Sequence, residues 1–115
     1  MATTQHIDLI LINGYLEALD LAVIEQMLDL YIEQSALYLT AINRAVVNMD
    51  EKAWQEQCHK MKGAAASTGL SQVHQKLLLI EKSHEDAETK AQHLQALSLL
   101  NQQAIAAFQQ WFAEQ

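Results

Sequence analysis

Residues 59 to 70 read HKMKGAAASTGL, and within them His59, Lys62, Gly63 and Ala66 are the types and spacing that could do chemistry. Successive residues of a helix turn by about 100°, which puts Lys62, Gly63 and Ala66 within about 60° of His59, with Gln55 one turn before it. The imidazole is then flanked by a cation, a residue with no side chain and a methyl group. Imidazole has an unperturbed pKa of about 6.5, so much of it is neutral and nucleophilic at pH 7. Lys62 beside it offsets negative charge, and the chemistry this suits is acceptance of a phosphoryl group. Gly63 inside a helix costs about 1 kcal/mol relative to Ala. Its use is a bare surface over which a second protein can approach the ring. Taken singly, these residues also have plain readings: a solvated His, a solvated Lys, and alanines that only favour helix.

The elements that must position these residues are helices. The chain has 115 residues, half of them hydrophobic, with 3 Gly and no Pro. So few turn formers argue against a hairpin-rich sheet, and a chain of this length can bury a core of its own. Residues 7 to 19 carry Leu9, Ile12, Leu16 and Leu19 at helical spacing, broken by Asn13-Gly14, and read as a short, irregular helix. Asp20 then caps a long helix whose stripe is Ile24, Leu28, Tyr31, Ser35, Tyr38, Ile42 and Ala45, ending near Asn48. Asp50 caps a third, with Trp54, Cys58, Met61 and Ala65 inward and Gly69 as its left-handed terminator. A fourth carries Leu70, Val73, Leu77 and Ile80. Residues 82 to 88 read as a polar turn. The last helix carries Leu97, Leu100, Ala104, Ala107, Phe108 and Trp111. One buried face per helix and short joints predict an all-α, antiparallel up-down-up-down four-helix bundle, with the short N-terminal helix over one end.

Seven basic against fourteen acidic residues give a formal charge of −7. That disfavours a nucleic-acid partner, because phosphate contacts need clustered Lys and Arg. The lone Cys58 can form no internal disulfide and reads as a core residue in a reducing compartment. The apolar run LILI is far short of the roughly 20 residues of a membrane span, and no basic leader precedes it. His6, His74, His84 and His93 show no metal-binding spacing and read as surface residues; neither metal nor bound cofactor is expected. No Gly-rich nucleotide loop exists, which argues against a kinase acting alone.

His59-x-x-Lys62-Gly63, the small residues after it, and Gly69-Leu70 resemble the signature of histidine-containing phosphotransfer (HPt) domains. The likeness extends over about residues 7 to 113, as one domain spanning 1 to 115. It is similar to the HPt domains that end hybrid sensor kinases of the anaerobic-respiration type. The resemblance implies a phosphocarrier: His59 takes a phosphoryl group from an Asp of one receiver domain and passes it to the Asp of a response regulator. Lys62 would neutralise charge, and Gln55, Gly63 and Ala66 would form the docking surface. Several such domains hold the acceptor ring with a polar side chain on the next helix, a place Glu81 would take here. Mg²⁺ would belong to the partner receiver. The implied partners are receiver domains and an upstream hybrid histidine kinase, with no direct membrane contact. The expected state is a cytoplasmic monomer, free or as the cytoplasmic tail of a membrane-anchored sensor kinase. A helical adaptor without covalent chemistry is the competing reading.

Overall fold

Four aspartates stand immediately before helices, where a carboxylate can take up backbone N–H groups that have no partner within the helix. The computed structural model describes residues 6–115, and all its elements are helical: α1 (Leu9–Ala18), α2 (Leu21–Val47), α3 (Glu51–Thr68), α4 (Ser71–Ile80) and α5 (Ala87–Ala113). Asp8 accepts from the Leu11 N–H at 3.2 Å, Asp50 from Ala53 at 3.0 Å and Asp86 from Thr89 at 2.8 Å. Asp20 occupies the cap position of α2 but makes no side-chain capping bond. Helix α1 is regular despite Asn13-Gly14, and of its expected stripe only Ile12 is fully buried. The polar turn is shorter than expected, because Asp86 starts α5 and draws Ala87 and Glu88 into it.

Helices α2, α3, α4 and α5 close a ring in which each packs on the next and α5 returns to α2. Neighbours run antiparallel: Trp54 near the start of α3 donates its indole N–H to the Ile80 carbonyl at the end of α4, 2.9 Å away. The long axis of 43 Å matches a 27-residue helix rising about 1.5 Å per residue. Since α3 and α4 are shorter, α2 and α5 run on past them, and α1 covers that end. The Asp8 N–H donates to the Gly69 carbonyl at 2.7 Å, and the Tyr15 hydroxyl to the Ser67 carbonyl at 2.9 Å.

The core follows the stripes, with Trp54, Phe108, Ile24, Ile42, Met61 and Leu97 almost wholly buried. Phe108 meets Trp111 edge to face at 5.6 Å. Tyr38 and Leu100 are only half-buried, and the buried position beside Leu100 belongs to Asn101. Asn101 accepts from the Tyr31 hydroxyl at 2.6 Å and donates to Ser35 at 3.0 Å, so a satisfied polar layer pins α5 to α2. Burial pushes the Tyr31 phenol well above its ordinary pKa.

The two helix ends at Gly69 and Met49 are built alike. Leu70 N–H bonds back to Ala65 and Asp50 N–H to Ala45, each at 2.9 Å, around a residue with positive φ. At Gly69 (φ 76°) that costs nothing, whereas Met49 (φ 51°) bears a Cβ in a region that suits glycine. The Met49 side chain is 82% exposed and offers little packing in return. Met49→Gly is therefore expected to gain about 0.5–1 kcal/mol, raising Tm by about 2–5 °C, as a thermal melt would read. A lower Tm would show that the side chain stabilises this end by contacts outweighing its backbone strain.

Candidate functional site

His59 lies on the outward side of α3 because Trp54, Cys58, Met61 and Ala65 turn inward. Its imidazole is 72% exposed. Nδ1 is 2.9 Å from Oε1 of Glu81, the residue that ends α4, and Lys62 Nζ is 3.1 Å from the same carboxylate. Glu81 is buried, its side chain only 8% exposed. Burial alone pushes its carboxyl up; hydrogen bonds from Lys62 and His59 outweigh that and hold it below the usual glutamate range. An ionised carboxylate can only accept, so Nδ1 carries the ring proton and Nε2 presents its lone pair to solvent.

Lys62 therefore faces more than the ring. It is largely covered and is paired with Glu81, which it helps to keep charged. Gly63 is exposed, with nothing within 4 Å of where a Cβ would stand, and Ala66 is exposed beside it. Gln55 is half-buried and lines a shallow cleft of about 250 Å³ with Glu56, His59, Glu81 and Lys82. Gly69 terminates α3 and does not touch the site; a Cβ there would come within 3.0 Å of Ile12. Lys82 on the rim is a cation that spacing on α3 alone could not reveal, since it stands in the turn after α4. Cys58 is buried, its thiol pushed up to about 12 by burial and by the charge of Glu81, so it is no partner nucleophile.

Of the other histidines, His84 is exposed as expected, whereas His6, His74 and His93 are half-buried, contrary to their reading as surface residues. Among the described residues, no three His, Cys, Asp or Glu side chains are grouped to hold a metal ion. No helix among them is long and apolar enough to cross a membrane.

The family model of the Hpt domain matches residues 26–111, a stretch that contains His59, Lys62, Gly63 and Glu81. The chain belongs to the Hpt domain family. This Hpt domain is similar in fold to the histidine-containing phosphotransfer domain of ArcB from Escherichia coli. The TM-score is 0.88, at 21% identity over 99% of this chain and 98% of that one. No curated protein matches the chain. Hpt domains are phosphotransfer modules that work with receiver domains and histidine kinases, and are not kinases with an ATP-binding domain of their own. This chain is a phosphocarrier of a His–Asp phosphorelay.

In this Hpt domain Glu81 is expected to matter through the ring it orients. Glu81→Ala frees the tautomer and leaves Lys62 without its carboxylate. Loss of one hydrogen bond to a charged group predicts transfer slower by about tenfold, measured as the rate of phosphoryl uptake from a phosphorylated receiver. Unchanged kinetics would remove Glu81 from the site.

Proposed function

We propose that His59 is the phosphoacceptor, and that it cycles between the aspartyl phosphate of an upstream receiver and the Asp of a downstream response regulator. The observation that carries this is the exposed imidazole whose Nδ1 is held 2.9 Å from a buried, ionised Glu81. Nε2 attacks the phosphorus; the bond from phosphorus to the aspartyl oxygen breaks, and the receiver recovers its carboxylate. The ring gains positive charge as the N–P bond forms, and Glu81 stands where that charge is stabilised. Running the same step backwards onto a second receiver discharges the carrier, with neutral imidazole as the leaving group.

Lys62 keeps Glu81 ionised and offsets part of the negative charge that the phosphoryl group brings. Gln55, Gly63 and Ala66 form the surface on which the receiver sits. Mg²⁺ and the acidic pocket are the receiver's contribution, and this chain binds no cofactor. The donor is a hybrid histidine kinase, and the chain works as one monomeric domain in the cytoplasm, alone or as the tail of a membrane-anchored sensor kinase. The reduced, buried Cys58 and the absence of a membrane-crossing helix among the described residues agree with that setting.

The test is to mix the chain with phosphorylated receiver domains and examine the label it acquires. Acid-labile, alkali-stable label supports a phosphohistidine carrier. No label from any of several receivers would leave the helical adaptor as the better reading.

A further inference from the structure

The arrangement around His59 occurs a second time, at the start of α3. His84, in the turn between α4 and α5, places Nδ1 2.9 Å from Oε1 of Glu51, and Lys90 Nζ lies 3.5 Å from the same oxygen. The His84 imidazole is 76% exposed, against 72% for His59. Lys90 is itself buried, with its ammonium 5.5 Å from the centroid of the Trp54 ring. The Glu51 carboxyl is held below its ordinary range, chiefly by the hydrogen bond from His84 and further by Lys90. It is therefore an acceptor, Nδ1 of His84 carries the proton, and Nε2 is left with a free lone pair. His93 offers no such nitrogen: Lys76 lies 3.3 Å from its Nδ1 and Glu85 3.0 Å from its Nε2.

We propose that His84 is a second phosphoryl-accepting imidazole, one that takes the group from small N-phosphoryl donors and not from receiver domains. The donor class follows from the surroundings. Asp50, Glu85 and Asp86 line the cavity next to Glu51, and they repel the several carboxylates of a receiver's acidic pocket far more than a small donor with a single net negative charge. No glycine beside His84 opens a helix face for docking as Gly63 does for His59. A small phosphoramidate needs no docking face. Nε2 attacks its phosphorus, the P–N bond breaks, and ammonia leaves from the already protonated nitrogen. The ring keeps its Nδ1 proton, and the positive charge it gains faces Glu51. Glu51 is 46% exposed where Glu81 is 8%, so its charge is better screened and the reaction is slower.

The test uses phosphoramidate itself on the full chain, with acid-labile phosphate counted by mass spectrometry. His59→Gln should still take up one phosphoryl group, roughly tenfold more slowly than His59 does in the wild type. Adding His84→Gln should abolish the uptake, and Glu51→Gln in the His59→Gln background should slow it. No uptake by His59→Gln overturns the proposal, as does equal uptake by the double variant. Label passing from a phosphorylated receiver to His59→Gln would overturn the restriction to small donors. The role of His59 is read separately, by comparing receiver-borne label on the wild type, His59→Gln and His84→Gln: label lost only from His59→Gln keeps the relay on His59 whatever phosphoramidate does at His84, so the two assignments fail independently.

Discussion

His59→Gln is expected to acquire no label from a phosphorylated receiver while melting within about 0.5–1 kcal/mol of the wild type. The two halves of that expectation rest on different features. Transfer from a receiver needs a lone pair at the position of Nε2, and a glutamine amide has none that can form a stable N–P bond. Folding is spared because the ring is 72% exposed and contributes nothing to the core. Glu81, the buried group left behind, is still met by Lys62 at 3.1 Å, so no unpaired charge is created. Receiver-borne radiolabel and a thermal melt on the same preparation read both halves. Label retained by the variant would place the relay acceptor elsewhere, and lost cooperative melting would show that the imidazole is structural.

The shared carboxylate gives the site a logic that its members do not show singly. A phosphoryl group on Nε2 would bring negative charge to a domain whose formal charge is already −7. Glu81 places one of those negative charges beside the ring, a poor choice for an anion-accepting site only if Lys62 is left out. With Lys62 at 3.1 Å the pair is locally neutral, yet Glu81 still fixes the ring proton on Nδ1. Tautomer and charge are thus set by different partners, which a single polar residue at position 81 could not do.

How much of this could be read from the chain depended on the range of the interaction. The stripe of α3 predicts the outward placement of His59, because helical periodicity acts over four residues and Trp54, Cys58 and Met61 obey it. The α2 stripe holds for the same reason, down to the polar Ser35, except at the half-buried Tyr38. Asn101 is missed, since an amide on an apolar stripe is buried only where a partner awaits it, and Tyr31 and Ser35 lie 66 to 70 residues away. The packing of Ile12 against Gly69 is equally remote, so Gly69 reads as a terminator and its close approach to α1 stays hidden. Glu81 could be placed near the ring by folding α4 back on α3. Its sharing with Lys62 could not, because that turns on side-chain reach across two helices. His84 and Glu51 were unreadable as a pair for the same reason, being 33 residues apart.

Gly63→Leu should separate stability from function at one position. Nothing lies within 4 Å of a Cβ built at Gly63, so a side chain there meets open space and the helix gains propensity. Leucine is favoured over glycine in a helix interior by about 0.7–1 kcal/mol, which predicts a Tm higher by about 3–5 °C. His59, Glu81 and Lys62 keep their contacts, since none of them leans on Gly63. Yet the new isobutyl group stands one turn from the ring, on the surface a receiver must cover to bring its Asp to Nε2. A misplacement of 1 Å at a reacting centre can cost about 100-fold, and a leucine side chain is several times that in height. Transfer from a receiver is therefore expected to fall by at least about 100-fold, while phosphoramidate, which needs no docking face, still labels His59 at close to the wild-type rate. That contrast distinguishes obstruction from damage. If both donors lose the reaction, Gly63 supports the nucleophile itself; if the receiver still transfers at full rate, the receiver does not sit on this face of α3.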